Sequence, residues 1–343
     1  MRFPFVSLSR RQALASMAAA ATASQLHVAE GNVLMATLLP LTKHSINEVL
    51  IKICVTETHI VAVWREGLLK GRSRLACYSL SGAEQWSQQL DPSSVVFDLI
   101  GITSTHIQVV FINRPKSELS FSKYTISGVP ASEDALAYTE AALCAAANES
   151  DISVLDIKTN ISRKRFGELQ SPSPRPIDLT TPTIGGYAPP GIIATMHFLG
   201  DDLVVLDHVK ARTAVLSSDG QLRKGRLSHP VIDMALAAQD TDVESRAATL
   251  RLLGKESSLT FPTSVLFAAS NGVDSIWIVA KSLNPRNISM LRIDASLSVN
   301  GSYEMRIPNE PILGGKPPLL LAVSRSVVAW GFRDGAVAFV KLA

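Results

Sequence analysis

The residues of this chain best suited to chemistry are seven histidines, three cysteines and a group of aspartates. His197 and His208 lie on either side of an apolar segment, with Asp201, Asp202 and Asp207 close by. Imidazole and carboxylate groups in that arrangement are typical of a metal site or an acid–base pair. Aspartates at those positions also fit the turns that precede and follow a strand. We keep both interpretations and favour the turns.

Two other histidines occupy matching places in a repeated segment. THIVAVW begins at Thr58 and THIQVVF at Thr105, so His59 and His106 stand at the start of equivalent predicted strands. Equivalent positions point to the same side of a repeating structure, where ligands can gather. A histidine that follows two polar residues is also an ordinary member of a hydrogen-bonded turn. We favour that structural role.

The three cysteines add no recognisable site. Cys54, Cys77 and Cys144 are widely spaced, and each lies in an apolar, strand-like context. Neither a CxxC pair nor a Cys/His cluster with zinc-site spacing is present in the sequence. We therefore expect three small buried hydrophobic side chains. The alternative for two of them is a Cys54–Cys77 disulfide, which requires their strands to be neighbours.

Linear motifs of catalysis are missing from the sequence. It contains no HExxH, GxSxG, GxGxxG or Walker-type segment. We accordingly name no catalytic, cofactor-binding or metal-ligating residue. This favours a binding protein over an enzyme, although residues that meet only in the folded chain leave no linear motif.

The first 23 residues have the composition of an export signal. Their only charges are three arginines: Arg2, Arg10 and Arg11. An Ala-rich apolar stretch too short to span a bilayer follows and ends at Ala23 in a small-x-small site. SRRQAL, from Ser9, resembles the bacterial twin-arginine signal. We expect removal of residues 1–23 and a periplasmic or secreted mature protein, 24–343. A mitochondrial transit peptide and a disordered tail are the alternatives.

Charge and hydropathy exclude two classes of partner. The chain has 33 Lys and Arg against 30 Asp and Glu, and without the three arginines of the signal the count is 30 against 30. A balanced protein has no bulk attraction to phosphate, so we expect no nucleic acid partner. No later segment reaches the roughly 18 apolar residues of a transmembrane helix, so we expect no membrane span in the mature chain.

An internal repeat carries the prediction of the fold. YSLSG begins at Tyr78 and YTISG at Tyr124, 46 residues later, and both follow the repeated THI segments. Each unit places short β-rich segments around a polar connection and ends in a glycine turn. Weaker copies occupy four later segments: 142–157, 201–222, 274–297 and 326–342. The sequence therefore predicts six hairpins.

A period of about 46 residues is typical of propeller blades, which are small sheets arranged radially so that each covers its neighbours. Two stretches fit no blade, a Pro-rich loop at 171–192 and a segment with helical spacing at 232–256. Without them the length fits about six blades, and with them about seven. We predict an all-β, six-bladed β-propeller, with seven blades or two β-sandwich domains as the alternatives.

A lone strand-like segment near the N-terminus predicts how the ring closes. NVLMATLL, residues 32–39, has no partner of its own in the repeat pattern. We expect it to complete the sheet that contains the C-terminal hairpin. The two ends of the chain would then lie side by side in one blade.

Two segments resemble known propellers. LACYSLSGAEQW, residues 75–86, resembles a blade of the quinoprotein-type propellers with PQQ repeats, with Gly82 and Trp86 in the recurring positions. The segment 201–222 resembles a blade of the six-bladed propellers related to the NHL repeat. The first resemblance implies a quinone cofactor. Because the Gly-to-Trp step occurs in one unit alone, we expect no cofactor.

Two functions from different classes follow. The favoured one is an exported propeller that serves as a binding or scaffold module and holds a protein, peptide or saccharide on one face of the ring. The alternative is a propeller enzyme of the lyase, hydrolase or quinoprotein-dehydrogenase kind. Its polar groups would come from several blades and meet at the axial channel.

Overall fold

Short runs of apolar and β-branched residues, separated by glycine and polar turns, form strands along the chain. The computed structural model describes residues 33–67, 71–138, 141–169, 173–179, 194–237, 266–280, 287–294, 296–306, 320–332 and 334–342. Within these ranges the strands assemble into six small antiparallel sheets. Each sheet is a propeller blade, and the blades are numbered here in chain order.

The first three blades follow one another directly in sequence. Blade 1 contains β3 Glu48–Val55, β4 His59–Glu66, β5 Ser73–Ser79 and β6 Glu84–Gln89. Blade 2 contains β7 Val95–Gly101, β8 His106–Asn113, β9 Glu118–Thr125 and β10 Pro130–Ala137, with a 3-10 turn at Arg114–Lys116. Blade 3 contains β11 Ala142–Ala147, β12 Asp151–Asp156, β13 Asn160–Arg165 and β14 Arg175–Pro176.

The last three blades include strands from both ends of the chain. Blade 4 contains β15 Ala194–Leu199, β16 Asp202–Asp207, β17 Arg212–Leu216 and β18 Leu222–Arg226. Blade 5 contains β19 Leu266–Ser270, β20 Ile276–Ala280, β21 Asn287–Ile293, β22 Val299–Arg306 and the N-terminal β1 Val33–Met35. Blade 6 contains β23 Leu320–Val323, β24 Val327–Gly331, β25 Ala336–Lys341 and the N-terminal β2 Thr37–Pro40.

The six sheets close into a ring. The first strands of successive blades contact one another in the order β3, β7, β11, β15, β19 and β23, and β23 contacts β3 again. The buried apolar side chains form six clusters, each of which lies between two neighbouring blades. Every blade therefore covers the faces of its neighbours, as the repeat predicts, and the six-bladed propeller is confirmed.

The N-terminal segment closes the ring as predicted. Strand β2 pairs with β25, so that Leu38 lies opposite Ala338. The segment breaks at Ala36, and the preceding β1 adds to blade 5 instead. The Ala36 N–H donates to the Arg306 carbonyl at 2.9 Å, and the Leu41 N–H donates to the Gly335 carbonyl at 3.0 Å. One short segment thus joins the last two blades.

Trp86, the tryptophan of the PQQ-like segment, links blade 1 to blade 2 by a hydrogen bond and a packing contact. Trp86 of β6 donates its Nε1–H to the Ile126 carbonyl at 2.7 Å. Its ring covers Gly128, whose φ of +87° lies in the left-handed region. A Cβ at that position would approach the Trp86 ring to 2.9 Å. The pair therefore requires glycine for both backbone conformation and space.

The Pro-rich stretch contributes to a blade, which corrects the prediction that all of 171–192 lies outside the sheets. Arg175–Pro176 form β14, the fourth strand of blade 3, and Ile177 is fully buried behind it. Proline is tolerated there because an edge strand does not need its N–H. Of this stretch, residues 171–172 and 180–192 lie outside the described part of the chain.

The predicted helical segment begins two residues early. Residues 230–237 are helical, and Pro230 takes the first helical position, where its missing N–H costs nothing. Ile232 is buried between blades 4 and 5, while Met234 on the other side is half exposed. The remainder, 238–256, lies outside the described residues. Within the described part of the chain, no helix is long and apolar enough to cross a membrane.

The cysteines are free and buried. Cys54 and Cys77 both lie opposite Val61, on the two sides of β4. Two strand spacings separate them by roughly 9.5 Å, which exceeds the reach of a disulfide. The alternative of a Cys54–Cys77 bridge is therefore wrong. Burial raises the pKa of the Cys77 thiol to about 12 and also raises the pKa values of Cys54 and Cys144.

The contact between Trp86 and Gly128 can be tested against a matched glycine. Gly167 has a φ of +88°, and a Cβ there would meet nothing within 4 Å. We expect Gly167→Ala to lower the free energy of unfolding by about 1 kcal/mol through backbone strain alone. Gly128→Ala adds the collision with Trp86, so the loss grows by about 1–3 kcal/mol. Urea denaturation measures both, and equal losses would contradict the packing of Trp86 on Gly128.

Candidate functional site

The innermost strands of all six blades enclose an axial cavity of about 250 Å³. Cavities that bind small molecules usually measure about 300–1,000 Å³, so this one suits a small ligand. The first strand of every blade contributes to its wall: β3, β7, β11, β15, β19 and β23. Residues from every blade of the described ring therefore meet at this cavity.

Three neighbouring blades aim polar or sulfur-bearing side chains at the same level of the cavity. Lys52, Asp98 and Cys144 follow one another at intervals of 46 residues and all line the cavity. Each comes directly after a register shift in its innermost strand. A β-bulge inserts one residue and redirects the side chains that follow it. The repeat thus places lysine, aspartate and cysteine in equivalent positions.

Lys52 and Asp98 form an ion pair between blades 1 and 2. The Lys52 Nζ lies 2.8 Å from the Asp98 Oδ1, and their side chains are 34% and 28% exposed. The same carboxylate oxygen accepts the Leu99 N–H at 2.9 Å. A partly exposed pair of this kind stabilises the fold by about 1 kcal/mol or less. Its main effect is that the two charges cancel at the cavity wall.

Blade 4 contributes two histidines that share one hydroxyl group. The Thr195 Oγ1 lies 2.8 Å from the Nε2 atoms of both His197 and His208. A hydroxyl group has one proton and two acceptor lone pairs, so at most one imidazole accepts from it and at least one donates its Nε2–H to the oxygen. Burial lowers the pKa of His197 to about 4. Burial and then the neighbouring His197 lower that of His208 to about 3. Both rings are uncharged at neutral pH.

The aspartates near these histidines serve turns and ion pairs. Asp207 accepts the Val209 N–H at 2.9 Å and pairs with Arg212 at 3.1 Å. Asp202 accepts the Ser218 N–H at 3.3 Å. Among the residues that the structure describes, no three His, Cys, Asp or Glu side chains gather to hold a metal ion. Asp207 therefore serves the turn that follows its strand, whereas Asp202 accepts an N–H from the turn between β17 and β18. The structure brings His197 and His208 together at Thr195.

His59 and His106 belong to matching turns. The Thr58 hydroxyl lies 2.8 Å from the His59 Nδ1, and the Thr105 hydroxyl lies 2.9 Å from the His106 Nδ1. The backbone N–H of each histidine also donates, at 3.1 Å, to the hydroxyl of the threonine three residues earlier. The predicted structural role of both residues is confirmed. Neither lines the axial cavity.

A second cavity of about 440 Å³ adjoins the end of the axial one. The two share Gly101 and Val323 in their walls. The second is lined by the loops that follow the innermost strands of blades 1, 2, 5 and 6, and these loops present Glu57 and Arg325. It gives the axial cavity a polar mouth on this side of the ring.

Comparison with known proteins shows the fold alone. No family model and no curated protein matches the chain. A structural genomics protein of unknown function from Bacteroides thetaiotaomicron has a TM-score of 0.52 and 9% identity, covering 90% of this chain and 75% of that one. Catalytically inactive virginiamycin B lyase from Staphylococcus aureus with quinupristin has a TM-score of 0.50 and 10% identity, covering 90% of this chain and 100% of that one. A member of the DUF4221 family from Bacteroides vulgatus has a TM-score of 0.49 and 11% identity, covering 89% of this chain and 95% of that one.

The buried histidines predict a particular dependence of stability on pH. Their folded pKa values lie below the ordinary value near 6.5, so the unfolded chain binds more protons between about pH 6.5 and 3. Their contribution to stability is complete above pH 6.5 and is lost as the pH falls through that window. Carboxyl groups with lowered pKa values, such as that of Glu48, act at lower pH.

The measurement is urea denaturation at pH 7, 6 and 5. We expect the wild type to lose stability over this range by more than a His197→Gln, His208→Gln double variant, in which these two groups no longer titrate. Glutamine retains an amide that can hydrogen-bond to Thr195. Parallel pH profiles of the two proteins would contradict the buried, uncharged state of the histidines.

Proposed function

We propose that the protein is an exported binding module that holds a small, uncharged polar ligand in its axial cavity. One observation carries this proposal: Thr195, His197 and His208 form a hydrogen-bonded group in a cavity to which all six blades contribute. A few polar groups in a ligand cavity fix the orientation of the ligand. Apart from the Lys52–Asp98 ion pair and Ser270, the other side chains of the wall are apolar, among them alanine, leucine, valine and phenylalanine.

The electrostatics of the cavity favour an uncharged ligand. Lys52 and Asp98 neutralise each other, and the two histidines are uncharged at neutral pH. A charged ligand would lose its hydration without meeting an unpaired opposite charge. Neutral donors and acceptors such as amides and hydroxyl groups match what the wall offers.

The mouth supports access from one side of the ring. Its cavity of about 440 Å³ adjoins the axial cavity at Gly101 and Val323. A larger ligand, such as a peptide or saccharide, would place one polar group in the axial cavity and the remainder at the mouth. This arrangement agrees with the expectation of a binding face on the ring.

An enzyme is the second candidate, because two histidines that share a hydroxyl could move a proton. Acid–base catalysis works best when the catalytic pKa lies near the working pH. The pKa values of about 4 and 3 leave both imidazoles without the extra proton that a general acid must give at neutral pH. The binding role is therefore better supported.

The binding proposal is tested by one substitution and its matched control. A thermal-shift screen with neutral amides, polyols and monosaccharides, followed by calorimetry, identifies the ligand. Thr195→Val removes the shared hydroxyl, and we expect the affinity to fall about tenfold or more, which is the effect of one or two hydrogen bonds.

Thr213→Val is the control, because the Thr213 Oγ1 is buried in the same blade without a hydrogen-bond partner among the described residues and outside the cavity. We expect its ligand affinity to match the wild type and its stability to be preserved or raised by about 1 kcal/mol. A ligand that binds both variants equally, or a screen in which charged compounds alone bind, would contradict the proposal.

Export rests on the first 23 residues, which lie outside the described part of the chain. Expression in a bacterium with a twin-arginine pathway should yield periplasmic protein whose mass corresponds to a chain starting at Ser24. Arg10→Lys with Arg11→Lys keeps the charge but removes the arginine pair that this pathway reads, so we expect the double variant to stay in the cytoplasm. Equal periplasmic yields of the two proteins would show that the arginine pair is not a signal.

A further inference from the structure

A cleft of about 510 Å³ opens between blades 1 and 2, outside the axial cavity. Trp86 fastens these blades at the turn containing Gly128, and the cleft lies further along β6. Its walls come from the end of β6 and the loop after it, and from β8, β9 and the start of β10. The lining includes Gln88, Gln89, Ser94, Phe111, Ser120 and Tyr124.

The internal repeat explains why this space is open. In blade 1 the cross-strand pair Trp64 and Arg74 fills the corresponding position, and both side chains are almost completely buried. The Arg74 carbon Cζ lies 5.6 Å from the centre of the Trp64 ring. In blade 2 the equivalent pair is Phe111 and Ser120, 47 and 46 residues later. Two large side chains are thus replaced by smaller ones.

The acids that hold Arg74 are replaced as well. Arg74 forms a two-bond ion pair with Glu48, at 2.8 and 2.9 Å, and a third contact with Glu84 at 3.3 Å. The residues 46 positions later are Ser94 and Pro130. Phe111, Ser120, Ser94 and Pro130, which replace the four members of the blade 1 cluster, all line the cleft. The cleft is therefore the place of that cluster with its large and charged groups removed.

The walls of the cleft offer hydrogen-bonding groups to a ligand. Within the described chain, the side chains of Gln88, Gln89, Ser120, Ser122 and Tyr124 make no hydrogen bond to the protein. They supply amide donors and acceptors and hydroxyl groups, and the ring of Tyr124 adds an apolar face.

The charges of the cleft narrow the class of ligand. No described lining residue is a lysine, arginine or histidine, whereas Asp91 and Glu133 are acidic. Among the described lining residues, a phosphate or carboxylate group would meet no positive charge. The volume of about 510 Å³ lies in the usual range for ligand sites.

We propose that this cleft binds a neutral oligosaccharide. Sugar hydroxyl groups both donate and accept hydrogen bonds, as the amides and serines of the wall do, and the C–H face of a pyranose ring packs on an aromatic ring such as Tyr124. The site is separate from the axial cavity, so the proposal does not depend on the function proposed for that cavity.

The test fills the cleft with the side chains that occupy the corresponding position in blade 1. Wild-type protein is applied to an array of neutral oligosaccharides of glucose, galactose, mannose and N-acetylglucosamine, and the strongest hit is titrated by calorimetry. The variant Ser94→Glu with Ser120→Arg installs the ion pair of blade 1 in blade 2. We expect it to lose binding at least tenfold while remaining folded, because both positions border the open cleft.

Two further variants keep the test decisive. Tyr124→Leu removes the aromatic face and the hydroxyl group, and we expect at least a fivefold loss of affinity for the same oligosaccharide. Thr213→Val, which lies outside both the cleft and the axial cavity, should leave that affinity unchanged. Absence of binding to every neutral oligosaccharide, binding to a peptide array instead, or equal affinity of the refilled variant would overturn the proposal.

Discussion

Closure of the ring by the N-terminal segment is the contact on which the remaining structure depends. A four-stranded blade cannot bury both its faces alone, so each needs two neighbours. Ala36 bonds to blade 5 and Leu41 to blade 6. The Thr42 carbonyl then accepts from Arg74 and from the Tyr78 hydroxyl of blade 1, at 3.3 and 2.9 Å. The segment therefore joins three blades in succession.

The contact with blade 1 is charged and buried, which makes it sensitive to substitution. Burial alone would raise the pKa of Glu48, but the Arg74 guanidinium and the His44 N–H hold it below its usual value. Breaking a buried ion pair of this kind by removing one partner usually costs about 3–5 kcal/mol. The Glu48–Arg74 cluster of blade 1 also explains the cleft, because the cleft lies at the position in blade 2 that corresponds to this cluster.

Much of the fold could be predicted from the repeat, because short apolar segments at a fixed spacing have few ways to bury both faces. The cavity was harder to predict. Lys52, Asp98 and Cys144 recur every 46 residues, a signal that the sequence contains but that the matches in the outer strands obscure. Thr195 had no signal at all, because a threonine in an apolar strand is ordinary until the fold places His197 and His208 beside it.

Hydrogen exchange at two backbone amides tests ring closure most directly. The Ala36 and Leu41 N–H groups donate to blades 5 and 6, and both residues are more than nine-tenths buried. If the segment closes the ring, these amides should exchange as slowly as those of the central strands β4 and β24, through global unfolding. Exchange at the rate of an exposed chain, with β4 and β24 still protected, would show that the ring holds without the N-terminal segment and would contradict the account.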